Sequence, residues 1–163
     1  MKSKDIPLPV PPQGTEVPLA SLLERVETPG RADWSDIPDS PGVYAVYLPG
    51  DVPIEVAEDV PADVAERIRE KWDLMNRRET TDILYFGAGT SLRQGIRALA
   101  RAGADPEGGP RGGEWLWLVK SIRSARLLWA ECPPGKQKKL KTTLLACFLE
   151  EHGEWPLANR RYR

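Results

Sequence analysis

Residues 84–99, LYFGAGTSLRQGIRAL, pass from a strand-like run through a glycine turn into a helix-like run without a break. A connection this short keeps the helix against the sheet that receives the strand, so the chain must build a layer of helix on a layer of sheet. The helix-like run carries a glycine, Gly95, in its interior. Glycine there costs about 1 kcal/mol relative to alanine. The segment thus raises two questions: what the turn serves, and why no larger side chain stands at 95.

The rest of the chain reads as a small sheet with helices against it, an α+β arrangement rather than repeated βαβ units. In TEVPLASLLERVETPG, Leu19, Leu22, Leu23 and Val26 fall at helical spacing ahead of a Pro-Gly stop. IPDSPGVYAVYLPG gives a turn, a strand in which Val43, Ala45 and Tyr47 alternate with Tyr44 and Val46, and a second turn. An acidic stretch, residues 51–80, follows around a helical PADVAERIREKWDLM before the chain returns at DILYFG. This insert reads as an excursion between two paired strands and as a lid or a protein-partner surface. EWLWLVKSI and ARLLWAEC are two apolar runs read as strands, and the last helix sets Leu140, Leu144, Leu145 and Phe148 on one face and stops at His152-Gly153. Residues 1–14 are a proline-rich arm. The domain reading is an arm and short helix over 1–36 and a folded unit over 37–163.

Composition narrows the partners. No apolar run reaches the length of about 20 residues that spans a bilayer, so the expectation is a cytoplasmic protein without a membrane partner. Cys132 and Cys147 lack CxxC spacing, which makes reduced thiols the default and a zinc site improbable. The net charge is −1, yet residues 1–90 carry 9 Lys and Arg against 17 Asp and Glu, while residues 91–163 carry 14 against 7. The basic half suits a phosphate-bearing partner such as nucleic acid, or the two halves attract each other in the fold.

Each of two strands ends on a tyrosine signature, Gly42-Val43-Tyr44 and Tyr85-Phe86-Gly87, and the tail LLACFLEEHGEWPLANRR closes with Pro156-x-x-Asn159. With these three motifs in this order over residues 37–161, the sequence resembles the GIY-YIG nuclease superfamily. The resemblance implies a compact three-stranded antiparallel sheet flanked by helices that cuts phosphodiester bonds. It implies that Tyr44 helps deprotonate a water, that Tyr85 and an arginine on the next helix contact the phosphate, and that a glutamate on the closing helix holds one divalent metal. Such chemistry needs an oriented water, positive charge at the phosphate and a stabilised leaving oxygen. The turn Gly87-Ala88-Gly89-Thr90-Ser91 suits it as well, because a helix N-terminus offers free N–H groups to an anion.

Two departures from the family pattern stand out. The arginine position is Gly95, and Arg93 and Arg97, two residues either side, lie about 200° round the helix. The glutamate position is Lys141. The catalytic set expected from the resemblance is then Tyr44, Tyr85, Arg97, Lys141 and Asn159, with Gly87, Gly89, Thr90, Ser91, Arg93, Arg111 and Arg160 binding. Mg²⁺ or Mn²⁺ enters only if a carboxylate such as Glu131 or Glu150 replaces the missing ligand.

Each candidate also has a plainer reading. The tyrosines could pack as ordinary strand residues, and Asn159 could form a turn. His152 reads most simply as a helix C-cap partner, GGPRGG around Arg111 as a loop, and Trp115, Trp117 and Trp129 as core. KQKKLK with NRRYR is the best basic patch, facing either a phosphate backbone or water. Functionally, the chain is expected to be a degenerate GIY-YIG-type domain that acts on or binds nucleic-acid phosphodiesters. The alternatives are an inactive partner module and a pocket turned to a small anionic substrate.

Overall fold

The structure, a computed structural model, describes residues 16–28, 30, 32–50, 52–104 and 114–159. The proline-rich arm, GGPRGG with Arg111, and Arg160 lie outside the described residues. The described chain forms β1 (Glu16–Pro18), α1 (Leu19–Glu27), β2 (Gly42–Tyr47), α2 (Ala62–Met75), β3 (Ile83–Gly89), α3 (Leu92–Ala104), β4 (Arg126–Glu131) and α4 (Gln137–His152). The fold is α+β. Among the described residues the sheet is antiparallel, with strand order β1-β4-β2-β3, so the three expected strands are joined by a fourth, β1, on the outer side of β4. Residues 16–27 therefore belong to the same sheet and core as the rest, with Val17, Leu19 and Leu22 buried there.

Register divides the core into two layers. Tyr44 lies opposite Gly87 on β3 and Trp129 on β4, and Val46 lies opposite Tyr85 and Leu127. Directly paired residues share a face, so these side chains line one side of the sheet and Ala45, Phe86 and Leu128 line the other. α3 covers the first side: Leu92 packs on Gly42, and Leu23 of α1 closes over Gly103 near its far end. α4 covers the second side, where Phe148 meets Phe86 edge to face at 6.1 Å. β2 is sandwiched from both directions, which is why GVYAVY reads as a continuous apolar run.

The insert 51–80 does leave and return between two paired strands, and α2 seats Ala65, Ile68 and Met75 in the interior. It is fastened by a bridge between Val56 and Val119 and by Lys120 between Glu55 and Glu58. The reading of EWLWLVKSI as a strand is corrected. Residues Glu114–Leu118 and Ile122–Ser124 are 3-10 turns. Leu116, Val119 and Ile122 are buried at a spacing of three, the period of that helix, so the run turns one edge inward instead of alternating.

Candidate functional site: the paired tyrosines and the start of α3

The two signature tyrosines meet. Their ring centroids are 6.2 Å apart with the planes tilted by 49°. Tyr44 is 4 % and Tyr85 5 % exposed. Burial first, and then the neighbouring phenol, push the Tyr44 hydroxyl far above the ordinary phenol range. Gly87 makes the packing possible. A Cβ on residue 87 would lie 2.1 Å from Tyr44 Cζ, so the ring occupies the space that any other residue would fill.

Position 95 faces this pair, as the resemblance requires of its arginine. A Cβ built on Gly95 would stand 3.7 Å from Tyr44 Cε1, an ordinary contact, so a side chain here would run along the phenol. Arg93 and Arg97 project elsewhere. Arg93 Nε donates to the carbonyls of Ile37 at 2.9 Å and Trp34 at 3.2 Å, which fastens the preceding loop. Arg97 places its guanidinium over the Trp34 ring at 5.9 Å, with Arg25 over the same ring at 5.3 Å. Neither arginine lies where a side chain at 95 would.

The expected anion site at the start of α3 is occupied by the protein itself. Leu92 N–H donates to the Ser40 carbonyl at 2.8 Å, Arg93 N–H to the Pro38 carbonyl at 3.0 Å and Gly95 N–H to the Ser91 carbonyl at 2.9 Å. Ser91 Oγ accepts from Gln94 N–H at 3.2 Å, an N-cap, and itself donates to the Asp39 carboxylate. All four N–H groups of the first turn thus have protein acceptors, and a carboxylate already stands at the positive end of the helix. The reading of Gly87, Gly89, Thr90 and Ser91 as a phosphate cradle is corrected accordingly: Gly87 serves the Tyr44 ring, Ser91 caps α3, and the oxygens that a phosphate would bring are supplied by residues 38–40.

Asn159 is likewise engaged in the fold. It is buried; its Oδ1 accepts from Phe86 N–H at 2.9 Å and its Nδ2 donates to the Phe86 carbonyl at 3.0 Å. Ala158 N–H adds a bond to the Leu84 carbonyl at 2.9 Å. Asn159 N–H donates to the Pro156 carbonyl at 3.0 Å, so residues 156–159 form a turn held against β3, and a catalytic role for Asn159 is replaced by a structural one. Lys71 of α2 binds the Asn159 carbonyl at 2.7 Å. His152 exceeds the simple cap expected of it. Gly153, at φ 73°, terminates α4, while His152 is buried, stacks on Phe148 at 4.3 Å and brings Nδ1 to 3.0 Å from both the Met75 and Glu79 carbonyls.

Lys141 is half-buried on α4, the helix that covers the side of the sheet away from the phenols, and desolvation lowers its pKa. Glu131 is exposed at the end of β4 and Glu150 is exposed on α4. Among the described residues no three His, Cys, Asp or Glu side chains gather, and at Lys141, where the resemblance implies a metal-binding glutamate, the side chain is a cation. The residues present do not fit the divalent metal that the resemblance implies. Both cysteines are free. No helix among the described residues is long and apolar enough to cross a membrane. Sequence reasoning missed the loop 38–40 and the pairing of Asn159 with Phe86. Asp39 and Ser91 carried a local signal for the former, as cap-forming residues bracketing the strand pair. In comparisons with known proteins, no family model, no curated protein and no solved structure matches the chain.

Proposed function

We propose that this chain is a divergent GIY-YIG-type domain that binds nucleic-acid phosphodiesters without cutting them. The observation that carries the reading is the inward use of every group the resemblance assigns to cleavage. The Tyr44 hydroxyl lies beside Tyr85 in a buried environment that holds it neutral, so it is no base near neutral pH. The α3 N-terminus is filled by Ser40, Pro38, Ser91 and Asp39, the arginine position is Gly95, and Asn159 is bound to the Phe86 peptide. Loss of a single preorganised donor costs about 10²- to 10³-fold in rate. Here the base, the cation and the anion seat are all engaged or absent. A scaffold can outlive its first chemistry, and the basic C-terminal half supplies the attraction for a polyanion.

The test pairs two assays. Supercoiled plasmid and labelled duplex or single-stranded oligonucleotides are expected to stay intact with Mg²⁺, with Mn²⁺ and in chelator, while fluorescence anisotropy reports binding that weakens with salt. Cleavage that disappears in Tyr44→Phe would overturn the loss of nuclease chemistry, and an absence of binding to both DNA and RNA would overturn the nucleic-acid reading.

A further inference from the structure

We propose that the contact surface for the nucleic-acid backbone is the solvent face of α3, where Arg93, Arg97 and Arg101 set out a row of guanidinium groups. The proposal rests on the reading of the chain as a nucleic-acid binder and names the surface that does the binding. The three arginines fall on every fourth residue, so each is displaced from the last by about 6 Å along the helix and about 40° around it. Arg97 and Arg101 are exposed, Arg93 is half-buried, and the other exposed residues of α3, Gln94, Ala98 and Ala104, are neutral. No Asp or Glu occurs from Ile83 to Ala104, so the row has no counter-charge on its own helix or on the strand before it.

What separates this row from an ordinary solvated face is how its charges are held. Two of the three guanidinium groups are positioned by neutral partners. Arg93 Nε donates to the Ile37 and Trp34 carbonyls at 2.9 and 3.2 Å, and Arg97 stands over the Trp34 ring at 5.9 Å. Arg25 reaches the same ring at 5.3 Å, yet both its terminal nitrogens bind the Asp36 carboxylate at 2.8 Å. The remaining carboxylates of the 33–39 loop are engaged elsewhere. Asp39 accepts from Ser91 Oγ; Asp33 accepts from Ser35 N–H at 2.9 Å, and that bond first, with Arg25 and Arg93 behind it, holds the Asp33 carboxyl below its usual range. Among the described residues Arg93, Arg97 and Arg101 form no ion pair, whereas Arg25, Arg67, Lys120, Arg123 and Arg126 each meet a carboxylate. A carbonyl and an indole orient a guanidinium without cancelling its charge, so these groups are set in advance and their charge is left for a partner outside the chain. The row spans about 12 Å, room for more than one phosphate. A phosphodiester strand presents anions at intervals along a line, and a guanidinium meets each with two parallel N–H bonds. Contacts of that kind fix the position of the backbone and read no sequence.

The test is an anisotropy titration of labelled duplex DNA, single-stranded RNA and poly-glutamate over a range of salt. It compares the wild type with Arg97→Ala/Arg101→Ala, with Arg97→Lys/Arg101→Lys and, as a control for charge removal elsewhere, with Arg67→Ala/Arg69→Ala on α2. Arg97 and Arg101 are exposed and carry no ion pair, so circular dichroism of every variant should match the wild type. The alanine double is expected to lose at least about fivefold in affinity for nucleic acid at low salt and to flatten the log–log salt slope by about 1.4–1.8, from about 0.7–0.9 per arginine. The lysine double keeps the charge but not the planar fork, so it should hold the wild-type slope and lose about two- to threefold in affinity. The α2 control should bind like the wild type. Wild-type affinity and slope in the alanine double overturn the α3 surface and leave the nucleic-acid reading standing; so does an equal loss in the α2 control, or a lysine double with the slope of the alanine double. A wild type that binds poly-glutamate but neither DNA nor RNA overturns both in favour of an acidic protein partner, and one that binds none of the three overturns both outright.

Discussion

Two glycines on either side of Tyr44 look alike in the sequence and do opposite things. Gly87 yields its side-chain volume to the phenol, with a Cβ placed 2.1 Å from Cζ; Gly95 leaves room, with a Cβ at 3.7 Å from Cε1. Gly87→Ala must displace a buried ring in the central layer and is expected to cost about 1–3 kcal/mol, read as a fall in denaturation midpoint at unchanged m. Gly95→Ala gains helix propensity and an ordinary contact, and should stabilise by about 0.5–1 kcal/mol in the same measurement. A neutral or stabilised Gly87→Ala would show that Tyr44 is not seated as described. The sequence made this contrast half legible. The tyrosine–glycine signatures located both residues, and the helical angle correctly sent Arg93 and Arg97 away from position 95. The partners that took those arginines, Trp34 and the Ile37 carbonyl, lie 56 to 59 residues earlier for Arg93, a separation that no local pattern encodes.

At the scale of elements, closure of the β3 edge and of the α4 terminus are the features that the motifs concealed. β3 ends the strand order, and Asn159 supplies in one side chain both hydrogen bonds of a missing neighbour. Asn159→Ala leaves a buried N–H and a buried carbonyl of Phe86 without partners. At about 1–3 kcal/mol per unsatisfied group it should be among the most destabilising substitutions in the chain, and amide exchange at Phe86 should accelerate. Unchanged protection at Phe86 would remove that role.

His152 adds a pH dependence to the other end of α4. Both acceptors at Nδ1 are carbonyls, so Nδ1 carries the proton and donates. Burial of the ring holds its pKa below the ordinary 6.5, although the Glu151 carboxylate, 3.9 Å from Nε2, pulls the other way. The unfolded chain therefore takes up the proton first as pH falls, and the contribution of a neutral His152, full above about pH 7, is lost progressively through and below 6.5. Urea titrations over that window should show the wild type weakening and His152→Gln weakening less. Equal slopes for the two would place the acid sensitivity elsewhere. The single histidine was visible as a helix end in the sequence, but its carbonyl partners arrive from α2 and the following turn, 73 to 77 residues away.

For the whole molecule, order along the chain and order in space diverge. Strands, helices and the excursion between β2 and β3 follow from periodicity and turn residues, and the helix-on-sheet layering follows from the short link at 89–92. What periodicity could not supply was the place of β1: three residues carry too little pattern, and their partner, β4, begins more than 100 residues later. The acidic and basic halves are both woven through one core, and Lys120, Arg123 and Arg126 of the basic half meet Glu55, Glu58, Glu27 and Glu16 of the acidic one.

The position of β4 between β1 and β2 also fixes a timetable for synthesis. A nascent chain can zip β2 to β3 as soon as residue 89 has left the ribosome, but the leading segment has no rail to dock on until residue 131 is out, and the outer flank of the hairpin stays bare until Asn159 arrives. Between residues 89 and 131 the growing chain thus presents two unguarded strand flanks, and the turn at 156–159 latches the second of them.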